Sequence, residues 1–158
     1  MLAASLFVYQ FVFIGFGDAK CRQIKNHRVI GLSVFGLLCS IFDVSPFGVG
    51  LMSAVSAGVI HFLALIPFYK LGLLAAGDVK LAGALGICFG IDLIFPVWVL
   101  SHIFALIHAI WIKSIYCSLY TPLLSMGTHE KNRKIFPFGS AMSLSSILIL
   151  GFYILGFI

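Results

Sequence analysis

Two carboxylates stand in places where a very apolar chain has little reason to keep one. Asp18 follows the apolar run over residues 2–16. Asp78 lies in Leu74-Ala75-Ala76-Gly77-Asp78-Val79-Lys80-Leu81-Ala82-Gly83, a break between two long apolar runs. Two carboxylates brought close together do not both ionise cheaply. One keeps a proton while the other stays charged, so the pair can activate a water and protonate a leaving group. That is hydrolysis without a metal or a cofactor. Residues for either are missing from the sequence: Cys21, Cys39, Cys88 and Cys117 form no C-x-x-C pair, and metal-site spacing is absent. Plainer readings stand beside this one. Asp78 would suit the first turn of a helix, facing free N–H groups and the helix dipole, and Asp18 would suit an interfacial charge answering nearby lysines.

The elements that position these acids follow from the solvent. The chain has 158 residues, 61% hydrophobic and 9% charged, with mean hydropathy +1.15, whereas a soluble domain carries roughly 25% charged residues. Lipid is the solvent that such a composition requires. The predicted fold is all-α, a polytopic membrane protein of about six transmembrane helices in one domain over residues 1–158. The apolar runs cover 2–16, 29–42, 47–69, 81–91, 93–112 and 135–158, with Asp92 and Pro96 marking a tight turn between the fourth and fifth. The N-terminus lacks a basic region and a small-residue cleavage site, so it reads as a retained span.

The net charge of +5 is topological and carries no nucleic-acid signature. The connections after spans one, three and five hold all ten Lys and Arg, whereas those after spans two and four hold only Asp43 and Asp92. The positive-inside rule then places the three basic connections in the cytoplasm and both termini outside. Lys20, Arg22, Lys25, Lys131, Arg133 and Lys134 read as orientation signals and contacts to anionic membrane lipid. This topology brings Asp18 and Asp78 to the same cytoplasmic depth and puts Asp43 and Asp92 on the opposite face. Glu130 is on the cytoplasmic side but lies among cations. His61, His102 and His108 fall within apolar runs and read as hydrogen-bonding between helices. The many phenylalanines read as packing or lipid-facing residues.

The segment Gly77-Asp78-Val79-Lys80-Leu81 resembles the G-x-G-D motif of intramembrane aspartic peptidases, in the G-D-x-K-L form of the type IV prepilin peptidases. Asp18 followed by Ile24-Lys25-Asn26 is similar to that family's first motif, an aspartate before I-P-N. Pro137-Phe138-Gly139-Ser140-Ala141 is similar to its P-F-G-x-A segment. Ala75 stands at the motif's first glycine, which suits an alanine only if φ there is negative. Lys25 stands at its proline, loosening a turn.

The resemblance implies an aspartic endopeptidase with Asp18 and Asp78 as the dyad and no cofactor. Gly77 would allow close backbone approach to Asp78. The implied reaction removes the basic leader of a prepilin-like protein substrate at the cytoplasmic face of the inner membrane. The chain resembles the compact members, without the cysteine-paired methyltransferase domain, so cleavage without methylation is expected. Two other readings are a small membrane transporter with the aspartates on an ion path, and a non-catalytic pilin-assembly protein. No oligomeric state is implied.

Overall fold

The computed structural model describes residues 2–21, 24–72, 74–119 and 138–157. It is all-α, as the sequence predicts. Among the described residues five helices follow in order: α1 (Leu2–Cys21), α2 (Asn26–Ile41), α3 (Leu51–Lys70), α4 (Ala76–Leu119) and α5 (Phe138–Ile154). In hydrocarbon every backbone N–H and C=O must find its partner inside the segment, and a helix does this for any apolar sequence. Among the described residues, three stretches are long and apolar enough to cross a membrane: Leu2–Lys20, Leu51–Lys70 and Ala76–His108. Asn26–Ile41 and Phe138–Ile154 are shorter apolar helices.

The fourth and fifth apolar runs are joined without a loop. Both belong to α4, and the expected turn at Asp92 and Pro96 is helical instead. The break comes two residues earlier, at Gly90, with φ 68° and ψ −174°, a region open essentially to glycine alone. The chain doubles back there. Before the break, Gly86 and Gly83 lie against the Ala57–Gly58 backbone and Phe62 of α3. After it, the Trp98 ring comes within 6.2 Å of the His61 ring, one residue from Phe62. One turn of α3 therefore touches α4 on both sides of Gly90. Pro96 lies within the second segment, six residues after the break, where its ring forgoes the bond that a backbone N–H would make to the Asp92 carbonyl.

Small residues set the closest packing, as expected where apolar burial does not itself favour helix association. A side chain on Gly86 would place its Cβ 2.8 Å from the Ala57 carbonyl oxygen. At the α1–α5 contact a Cβ on Gly15 would come 2.9 Å from that of Ser143. The buried α5 serines are self-satisfied. Ser143 donates to the Gly139 carbonyl at 2.8 Å and Ser146 to that of Met142 at 2.8 Å, so they add little bulk and leave no open donor.

The phenylalanines divide as expected between packing and lipid. Phe7, Phe11 and Phe89 are fully buried, whereas Phe13 and Phe16 are exposed. Phe11 stacks on Phe89 at 5.8 Å, and Phe47 meets Phe89 at 4.5 Å and Tyr153 at 5.5 Å. This cluster lies toward the end of the bundle that holds Gly90 and the α2–α3 loop. Asp43, in that loop, has φ 53°. It follows α2 as a left-handed cap, with the Val44 N–H returning to the Cys39 carbonyl at 2.9 Å.

Candidate active site

Asp18 is in the last turn of α1, which runs on to Cys21 rather than stopping at Gly17. Its side chain is buried, with 5% of its surface exposed. The start of α5 holds it there. The Ser140 N–H donates to Asp18 Oδ2 at 2.9 Å, and the Gly139 backbone bonds the same carboxylate. These are first-turn N–H groups that a helix leaves without internal partners, at the positive end of its dipole. A side chain at 139 fits only if Ile24 and Asp18 shift. A Cβ there would lie 3.0 Å from Asp18 Oδ2 and 2.6 Å from Ile24 Cδ1.

Asp78 is the third residue of α4 and is 7% exposed. Its carboxylate bonds back to the Ala75 backbone just before the helix, the return half of a capping box. The plainer structural reading of Asp78 is therefore present in the geometry. Ala75 carries no strain, since Asp43 is the one described non-glycine residue with positive φ. Gly77 is needed for contact rather than conformation: a Cβ on it would sit 3.2 Å from Ile24 Cβ.

Ile24 is thus the common neighbour. Its side chain packs against Gly77, beside Asp78, and against Gly139, which touches Asp18. Asp18 and Asp78 therefore lie on either side of the same side chain. Three segments distant in sequence meet here, each bringing one residue with no side chain or one apolar wedge. The sequence signal for Ile24 was its place in Ile24-Lys25-Asn26, but nothing in its type announced a positioning role. Asp43 and Asp92 belong to the other end of the bundle. There Gly90 packs on Val49, and Asp92 shares a small cavity with Phe47, Gly48 and Val49.

Two cations outside the set of orientation charges have specific structural partners. Arg28 Nη1 donates to the Phe13 carbonyl at 3.0 Å, and its guanidinium lies over the Phe13 ring, 4.1 Å from the centroid. It also occupies the space a side chain at Gly17 would need. Lys80 Nζ donates to Asn26 Oδ1 at 3.1 Å, joining the first turns of α4 and α2. Arg22, Glu130, Lys131, Arg133, Lys134 and Pro137 lie outside the described residues. Two of the histidines differ from expectation. His61 and His102 pair through Nδ1 with carbonyls of their own helices, those of Ala57 and Trp98, each at 2.8 Å, because an i−4 carbonyl is nearer than any partner helix. Among the described residues no group of three His, Cys, Asp or Glu could hold a metal ion.

Lys25 precedes α2 with φ −72° and ψ 130°. That is the backbone proline would impose, so its replacement there leaves the turn intact. The Lys25 carbonyl accepts the Arg28 N–H at 3.0 Å, a bond that proline would keep. Lys25→Pro is expected to stabilise the protein by about 0.4–1 kcal/mol, chiefly by restricting the unfolded chain. A higher midpoint of thermal unfolding in detergent would bear this out. A lower one would show that the lysine ammonium or N–H is needed.

A bundle of apolar helices, with stretches long enough to cross a membrane, is an integral membrane protein, and Asp18 and Asp78 lie buried within it on either side of Ile24. The family model described as type IV leader peptidase matches residues 5–110, a stretch that includes both aspartates. The chain belongs to the type IV leader peptidase family and is a protease of prepilin peptidase type. No curated protein and no solved structure matches it.

Proposed function

We propose that this protein is an aspartic endopeptidase that removes the leader of type IV prepilin-like proteins at the cytoplasmic face of the inner membrane. Asp18 and Asp78 are its dyad. The observation that carries this reading is the placement of the two buried aspartates on either side of Ile24. Family membership supplies the reaction class. One carboxyl, ionised, draws a proton from water as the water attacks the scissile carbonyl. The other, protonated, gives its proton to the leaving amine. The Ser140 N–H, bonded to Asp18, holds that carboxylate in place.

Six crossings accord with the reversal of α4. At 44 residues it is about 66 Å long in total, more than twice the roughly 30 Å of hydrocarbon in a bilayer. Gly90 divides it into arms of about 14 and 29 residues, roughly 21 and 44 Å, so the first is a short pass of the kind that local thinning and flanking side chains accommodate. The Lys and Arg pattern along the connections supports the cytoplasmic placement.

The direct test incubates membranes holding the protein with a prepilin-like polypeptide and sequences the new N-terminus. A shortened product beginning at the hydrophobic segment is expected. Flux through vesicles that depends on the aspartates, without proteolysis, would favour a transporter instead. Gly139→Ala gives a second test. The added methyl pushes on Asp18 Oδ2 without removing any acid. Cleavage should fall by up to about 10²-fold for a displacement of about 1 Å. The loss should appear in kcat more than in KM, with the helical content of the protein retained.

A further inference from the structure

A groove of about 610 Å³ runs between α2 and α3 over the face of α4. It is separate from the Ile24 site but begins two residues from Asp78, at Lys80. Its walls are apolar: Val29, Val34 and Leu37 from α2, Val59 and Phe62 from α3. Val34 and Val59 are half exposed. Polar groups are confined almost wholly to one end, where Lys80 and Asn26 line the mouth. We propose that this groove binds an anionic phospholipid, with an acyl chain along α2 and the phosphate at Lys80 and Asn26.

Three observations carry this. The first is charge. Lys80 is exposed, its hydrogen bond is to a neutral amide, and no carboxylate pairs with it among the described residues. Its positive charge is left uncompensated at the end of an apolar channel. The second is donor geometry. A lysine ammonium only donates, so the oxygen of the Asn26 amide must face it. The Asn26 Nδ2 group, with two N–H donors, is then turned away from Lys80 and free to bond a phosphate oxygen. Ammonium and amide together offer an anion a charge and two directed donors at one mouth.

The third is length. The lining runs from Asn26 to Leu37 on α2, about 16 Å at 1.5 Å per residue. That is about half the hydrocarbon thickness of a bilayer, the depth of one leaflet. An acyl chain from the adjacent leaflet ends where the groove ends. A transmembrane protein helix would need a channel about twice as long.

The experiment places the protein in nanodiscs of equal phosphatidylglycerol and phosphatidylcholine, releases it in mild detergent, and counts retained lipids by native mass spectrometry. One phosphatidylglycerol per chain is expected to be held in preference to phosphatidylcholine. Lys80→Gln should lower its retention about fivefold, the effect of one lysine near an anionic lipid. Val59→Trp, at an exposed wall position, should lower it by at least as much by filling the channel. Equal retention of the two lipids would overturn the proposal, as would retention unchanged in Val59→Trp. Displacement by inorganic phosphate with no effect of Val59→Trp would show a free phosphate site. Crosslinking of a prepilin-like polypeptide from a photoreactive group at 59, with no lipid retained, would assign the groove to a protein helix. Each readout is independent of cleavage.

Discussion

Alanine at Asp18 or at Asp78 is expected to lower leader cleavage by about 10²- to 10⁴-fold, the contribution of a positioned general acid or base. The double variant should be little worse than either single one, because members of one catalytic unit do not add. The two positions differ in structural cost. Asp18→Ala removes the acceptor of the part-buried Ser140 N–H, and a donor left open there costs up to about 1–3 kcal/mol. Some of its lost activity would then be lost fold. Asp18→Asn separates the two effects. Its amide oxygen keeps an acceptor for Ser140 but neither ionises nor gives up a proton as an acid does. Equal loss of cleavage in Asp18→Asn and Asp18→Ala, with the asparagine variant more stable, is the expected result. Asp78→Asn should behave alike, since its oxygen still reaches the Ala75 backbone. Cleavage that survives both single substitutions would remove the dyad from the mechanism and leave the aspartates as helix-end partners.

The second large effect is on the fold. Gly86→Leu is expected to destabilise the protein by about 3 kcal/mol or more, at or beyond the upper end for overpacking. A Cβ at 86 would lie 2.8 Å from the Ala57 carbonyl oxygen, 2.9 Å from its carbon and 3.0 Å from Gly58 Cα. All three are backbone atoms of a helix, and no rotamer change moves them aside. α3 and α4 would have to part, taking Asp78 away from α1 and α5. Gly31→Leu is the control, because a Cβ there meets nothing within 4 Å. The expected outcome is a much lower unfolding midpoint for the variant at 86 and little change for the one at 31. Similar midpoints for the two would mean that α3 and α4 do not pack at this distance in the membrane.

How much of this was legible beforehand can be argued residue by residue. Asp18 and Asp78 stood out because a carboxylate in an apolar chain is costly, and cost is visible in composition. Their placement at one end followed from counting passes between basic connections. The joint between the fourth and fifth runs was misplaced at Asp92 and Pro96. Both are frequent turn residues, but the helix carries both of them through. The reversal belongs to Gly90, and a glycine inside a Gly- and Ala-rich run looks like any other until its φ is known.

The solvent, the helical class, the two acids and the family motifs were determined by the sequence alone, since each depends on residue type and local period. The tertiary structure alone decided that Ile24 fills the space between Gly77 and Gly139. It likewise decided that the start of α5 supplies the bond holding Asp18, and that Lys80 reaches Asn26. These are contacts between segments far apart along the chain, set by how closely helix backbones approach one another, a distance that no single segment encodes.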